Sequence, residues 1–66
     1  MITRTFAENY RNSYEAGMTV DEMVEFFHDC QKIAVEEEVE PEFAALDDDD
    51  LKELAEMVIE MNEEDN

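Results

Sequence analysis

The sequence contains almost none of the residues that interrupt regular structure, with one glycine and one proline in 66 residues. Turn-rich folds and disordered linkers use both residues often, so their scarcity argues against those classes. The single cysteine, Cys30, has no intrachain partner for a disulfide and is typical of a reducing compartment. No apolar run approaches the roughly 20 residues that span a bilayer. We therefore expect a cytoplasmic protein with no disulfide and no membrane association.

Positive charge is equally scarce. The chain has 4 lysine and arginine residues against 21 aspartate and glutamate residues, which gives a net charge of -17. The two arginines are balanced by two glutamates within residues 1–20, so the whole excess lies in residues 21–66. Charge of this sign repels nucleic acids and anionic membranes, and it favours basic protein surfaces as partners.

Hydrophobic residues are abundant, at 44% of the chain, which is more than a disordered acidic tail contains. They recur at helical spacing, and no stretch alternates as a half-buried strand would. In the first predicted helix the aromatic residues Phe6, Tyr10 and Tyr14 lie four residues apart, as one face of an amphipathic helix requires. The pattern predicts an all-α fold in a single domain of residues 1–66. We expect a small bundle of three main helices, at about residues 5–16, 20–37 and 48–62, with a short helical turn at 41–46.

The central helix has the clearest start signal. Thr19 is a good N-cap, and Glu22 three residues later completes a capping box. The apolar residues that follow cover an arc of about 200° around the helix axis. They are Val20, Met23, Val24, Phe26, Phe27, Cys30, Ile33, Ala34 and Val35. An arc this wide predicts that the helix packs against two elements, with Cys30 buried as a small apolar residue.

The other helix boundaries have local signals too. Thr5 with Glu8 forms a second candidate capping box, and Thr3 is an alternative cap for the first helix. Gly17 is expected in the left-handed conformation at the end of that helix. Asp47 is a sound N-cap for the last helix, since the three aspartates after it suit the positive end of the helix dipole.

Two patterns invite a metal-binding interpretation. The aspartates at residues 47–50 resemble a calcium loop, but the glycine that an EF-hand loop needs at its sixth position is absent. Glu25 and His28 have the Glu-x-x-His spacing of carboxylate metal bundles, which needs a second copy of the motif and further carboxylates. Only a homodimer would supply them, so a dimeric metal-binding bundle is the third hypothesis, and we expect no metal or other cofactor.

Catalytic patterns are missing as well. His28 and Cys30 leave a helix about 160° apart, so they cannot act as a base and nucleophile pair. No serine or threonine is placed near a base, and no glycine-rich loop is present to hold a phosphate. We expect that the protein is not an enzyme.

Carboxylates repeat along the outward faces predicted for the central and last helices. Lys32 and Lys52 are the only cations after residue 20, so neighbouring carboxylates on each face repel one another. The negative charge is greater than solubility requires. Repeated carboxylates of this kind are expected of a protein that imitates a phosphate backbone. The alternative is an acidic surface that only keeps the protein soluble, or one adapted to high salt. The expected partner-binding residues are Asp21, Glu22, Glu25, Asp29 and Glu36 on the central helix, and Glu53, Glu56 and Glu60 on the last helix.

In size and charge the chain resembles the DNA-mimic inhibitors that phages and mobile elements use against restriction or CRISPR systems. That likeness implies a basic nucleic-acid-binding protein as partner, with no direct contact to nucleic acid or membrane. The alternative is an antitoxin-like or regulatory interaction module that binds through an apolar methionine and phenylalanine surface. A monomer and a homodimer both remain open, because a core this small gains stability from association.

Overall fold

The computed structural model describes residues 2–64 and confirms the all-α fold, with no strand among these residues. The helices are α1 (Arg4–Glu8), α2 (Val20–Glu37), α3 (Pro41–Ala44) and α4 (Asp48–Glu64), with a 3₁₀ turn at Arg11–Ser13 between α1 and α2. The central helix contacts both α3 and α4, while α1 and the 3₁₀ turn contact α4. The two long helices, α2 and α4, therefore pack against each other and form the main part of the domain.

The first helix is much shorter than the predicted span of 5–16. Helix α1 ends at Glu8 and is followed by the separate 3₁₀ turn. Asparagine and serine at positions 9, 12 and 13 are weak helix formers, and the Arg11 carbonyl accepts a hydrogen bond from Asn62 Nδ2 at 3.1 Å. A tertiary contact thus holds this segment, whereas the four-residue aromatic spacing suggested a continuous helix. The cap is Thr3, whose hydroxyl accepts from the Phe6 N–H at 3.1 Å.

Helix α2 begins as its capping box predicts. The Thr19 hydroxyl accepts from the Glu22 N–H at 3.2 Å, and the Glu22 carboxylate accepts from the Thr19 N–H at 3.1 Å. The helix ends at Glu37, after which Glu38 adopts the left-handed conformation with φ of 54°. The Val39 N–H then reaches back to the Ala34 carbonyl at 3.0 Å, which completes a Schellman-type ending without glycine.

Helix α3 is a single turn that ends at Ala44, two residues short of the predicted 41–46 segment. Its start follows Glu40, which is also left-handed with φ of 48°. The amide of Gln31 on α2 donates two hydrogen bonds of 2.9 Å, one to the Phe43 carbonyl and one to the Leu46 carbonyl. This one side chain therefore fastens the end of α3 to the middle of α2.

The core lies where α4 meets the other helices. Helix α4 starts at the cap predicted for it, since Asp47 Oδ1 accepts from the Asp50 N–H at 2.9 Å. Its buried side chains are Leu51, Leu54, Ala55, Val58 and Met61, and they pack in one cluster with Ile2, Ala7, Met23, Phe27 and Phe43. Among the described residues no polar or charged side chain is buried.

The apolar arc of α2 is only partly covered. Met23, Phe27 and Ala34 are buried, whereas Phe26, Ile33 and Val35 are 41%, 53% and 63% exposed. The helix does contact two elements, but α3 is a single turn and covers little of the edge that faces it. Cys30 packs against the core as predicted, but it is only half-buried.

Candidate functional site

The α2 acidic face consists of Asp21, Glu22, Glu25, Asp29 and Glu36. All five residues are exposed, and at 3.6 residues per turn they lie roughly 160° around the helix from its buried side chains. The opposite side of the helix is fixed by packing against α3 and α4, so most of these carboxylates project from a rigid support. Glu22 differs from the others because its carboxylate also caps the helix.

The α4 acidic face consists of Glu53, Glu56 and Glu60, and these three residues are exposed as well. They lie opposite the buried leucines, alanine and valine of the same helix. Because the buried sides of α2 and α4 share one core, the two acidic faces point away from each other. The eight predicted residues therefore form two separate surfaces on opposite sides of the domain.

Few cations offset these faces. Lys32 lies on the same side of α2 as Asp29 and Glu36, and it is exposed. Arg4 forms an ion pair with Glu64 at 3.2 Å, with both side chains more than half exposed, an arrangement that contributes little to stability. Within residues 2–64 none of the eight predicted carboxylates takes part in an ion pair. Both faces thus keep their charge available to a partner.

Two of the aspartates at residues 47–50 have structural contacts. Asp47 caps α4, and Asp48 Oδ1 lies 3.1 Å from Nε2 of His28. His28 is thereby directed toward α4, away from a site shared with Glu25. Among the described residues no group of three histidine, cysteine, aspartate or glutamate side chains is arranged to hold a metal ion.

An aromatic cluster that sequence reasoning missed joins α1, α2 and α3. Tyr10 stacks on Phe43 with ring centroids 4.8 Å apart, and it contacts Phe6 at 5.3 Å and Phe27 at 6.2 Å. The Tyr10 hydroxyl donates to Glu40 Oε1 at 3.0 Å. The four-residue spacing of Phe6 and Tyr10 indicated a shared apolar face, but no local signal could reveal a partner 30 residues away.

Burial and negative charge act together on two titratable groups near this cluster. Burial, the hydrogen bond to Glu40 and the charges of Glu40 and Glu42 raise the pKa of Tyr10 to about 12. Burial also raises the pKa of the Cys30 thiol, with Asp29 and Glu40 adding to the shift. The shift lowers the fraction of thiolate, which is the nucleophilic form of cysteine.

A shallow apolar groove lies beside the α2–α3 connection. Its volume is about 370 Å³, and its lining includes Ala34, Val35, Val39, Pro41 and Ala45. Val35 and Val39 remain 63% and 46% exposed. This is the part of the described surface that best fits the alternative hypothesis of an apolar interaction module, although it contains neither methionine nor phenylalanine.

Comparison with protein-family models, with curated proteins and with solved structures finds no match for the chain. No helix within residues 2–64 is both long and apolar enough to cross a bilayer. The geometry and charge of the described residues therefore carry the functional interpretation.

Proposed function

We propose that the protein is a small acidic inhibitor that occupies the positively charged nucleic-acid-binding site of a basic partner protein. The observation that carries this proposal is the α2 acidic face, whose carboxylates are exposed on a helix that is capped and packed on its opposite side. Charges that are already ordered lose little entropy on binding, so they bind better than the same charges on a flexible tail.

The mechanism is competitive. Arginine and lysine side chains that normally contact phosphates instead contact carboxylates, and the net charge of -17 steers the two proteins together. The long axis of the molecule is 35 Å, close to the roughly 34–36 Å of one turn of B-DNA. This length supports occupation of a site that normally holds about one turn of duplex.

The same reasoning suggests a biological setting. Restriction and CRISPR enzymes bind nucleic acid through large basic surfaces, and inhibitors of this type are encoded by phages and mobile elements. We infer a cytoplasmic role of that kind, with no catalytic activity of the protein's own. The charge also disfavours a homodimer through the acidic faces, because two copies would repel each other there.

A second candidate function is a regulatory interaction module. The apolar groove and the exposed valines on its walls favour this reading. A complex formed through that groove would bury apolar surface, and its affinity would change little with salt.

The test is competition for a partner captured from a nuclease-treated lysate on the immobilised protein. We expect a short DNA duplex to release the partner, and we expect affinity to fall steeply between about 0.05 M and 0.2 M salt, as it does for phosphate contacts. A partner that holds this protein and DNA at the same time would contradict the proposal. An affinity for the partner that does not change with salt would favour binding through the apolar groove.

A further inference from the structure

A second groove, on the other side of α3, combines aromatic rings with carboxylates. It has a volume of about 270 Å³, and its lining includes Phe6, Tyr10, Glu40, Glu42 and Phe43. Of the three aromatic residues, Phe43 is buried, while Phe6 and Tyr10 are half-buried. Small-molecule sites usually range from about 300 to 1,000 Å³, so this aromatic groove is suited to a single side chain.

The two carboxylates of the aromatic groove can accept further hydrogen bonds. Glu40 uses one oxygen to accept from the Tyr10 hydroxyl, and a carboxylate has about four acceptor positions. Glu42 forms no hydrogen bond or ion pair with any residue from 2 to 64. Burial raises the pKa of Tyr10, and the hydrogen bond to Glu40 and the charges of both glutamates raise it further.

These features select the chemistry of the occupant. The carboxylates would repel an anion. An apolar side chain would displace water from the carboxylates without replacing its hydrogen bonds, which costs free energy. A metal ion is disfavoured because the described residues contain no group of three histidine, cysteine, aspartate or glutamate side chains that could hold it, and a hard cation takes six or more oxygen ligands. A second copy of this chain is disfavoured by its own charge of -17. An organic cation from a basic protein meets every requirement.

We propose that the aromatic groove binds an arginine side chain of a basic partner protein. A planar guanidinium stacks on aromatic rings and divides its five N–H donors between two acceptors, whereas lysine presents a compact point charge. The half-buried rings of Phe6 and Tyr10 and the carboxylates of Glu40 and Glu42, which all line the groove, supply both kinds of contact. The site lies outside the α2 acidic face and does not depend on imitation of DNA.

The test is an NMR titration of the full chain with three blocked pentapeptides that differ at the central residue, which is arginine, lysine or citrulline. Citrulline keeps the shape of arginine and removes its charge. We expect saturable shifts of the Phe6, Tyr10 and Glu42 amides with the arginine peptide. The lysine peptide should bind about 2- to 5-fold more weakly, the size expected of an exposed cation–π contact, and the citrulline peptide should not saturate.

Variants separate the groove from the general charge of the surface. The pair Glu40→Gln and Glu42→Gln should weaken the arginine peptide about tenfold, since both charge-assisted contacts are lost. The matched control is Glu15→Gln with Glu63→Gln, two exposed residues outside the aromatic groove and both acidic faces, which changes the net charge equally and should leave affinity within about twofold. Phe6→Leu should weaken binding about 2- to 5-fold while the spectrum stays folded.

Three results would overturn the proposal. One is an equal loss of affinity for the arginine peptide in the Glu40 and Glu42 variant and in the Glu15 and Glu63 control variant. Another is a citrulline or lysine peptide that binds as well as the arginine peptide. The third is a Phe6→Leu variant with unchanged affinity. None of these outcomes bears on competition with DNA, so this inference and the proposed inhibitor function fail independently.

Discussion

Gln31 is the side chain whose loss should most clearly loosen α3 from the rest of the domain. Its amide donates two 2.9 Å hydrogen bonds to the carbonyls of Phe43 and Leu46, in a part-buried position. Gln31→Met keeps the length of the side chain and a similar helix propensity but removes both donors. At about 1 kcal/mol for each hydrogen bond, the variant should lose about 2 kcal/mol of unfolding free energy.

For a chain of this size, a loss of about 2 kcal/mol corresponds to a fall in Tm of about 8–16 °C. Circular dichroism melts measure the fall, and amide exchange locates it. The Ala44 and Ala45 N–H groups, which bond to the carbonyls of Glu40 and Pro41, should lose protection first. Lys32→Met introduces the same side chain at the neighbouring exposed position and should change stability by less than about 0.5 kcal/mol. Equal Tm values for the two variants would refute this account of α3.

Gln31→Glu tests the same contact by pH. The introduced carboxylate has no N–H to donate and faces two carbonyl oxygens, so its pKa in the folded state should rise above that of an ordinary glutamate. The folded state then binds more protons than the unfolded state, and stability falls as pH rises through these pKa values. The variant should therefore recover part of its lost Tm, relative to the unsubstituted protein, on acidification from about pH 7 to pH 5. A loss that stays constant with pH would show that this carboxyl does not face the two carbonyls.

Three further predictions concern other contacts. Thr19→Ala should lower the free energy of unfolding, measured in urea, by about 1 kcal/mol because the α2 capping box is lost. Thr5→Ala, outside any cap, should lower it much less, and equal losses would contradict the assignment of the cap. Because the pKa of Tyr10 is raised, its contribution to stability is complete below about pH 10 and is lost as pH rises toward about 12. Ultraviolet titration should show a tyrosine ionisation near pH 12 that is absent in Tyr10→Phe. Raising the salt concentration from about 0.01 M to 0.15 M should raise the Tm, because salt screens the repulsion between carboxylates. A fall in Tm would show that attractive ion pairs outweigh this repulsion.

The two long helices could be predicted from sequence because their signals are local. The bounds predicted for α2, 20–37, are those observed, since Thr19 and Glu22 form the expected capping box. Helix α4 starts at residue 48 as predicted, after the Asp47 cap, and extends two residues beyond the predicted end. In both helices the exposed positions of the acidic faces followed from a period of 3.6 residues and the position of the apolar side.

The rest depends on contacts between distant residues. The first helix was overestimated because the spacing of Phe6, Tyr10 and Tyr14 fits a helix, while the break after Glu8 is held by Asn62 and the aromatic cluster. The aromatic groove exists because Glu40, left-handed before a proline, meets Tyr10. Propensity disfavours that conformation for glutamate, so no sequence rule predicts it.

The central claim is that the α2 acidic face binds the partner, and charge reversal tests it most directly. Glu25→Lys with Asp29→Lys should leave the helical content unchanged, because both residues are exposed. It should weaken binding to the captured DNA-binding partner by several kcal/mol. Glu53→Lys with Glu60→Lys changes the net charge equally on the opposite surface, and Asp49→Asn changes the α4 start; both should cost little binding. A reversed α2 face that binds as tightly as the original would contradict the claim.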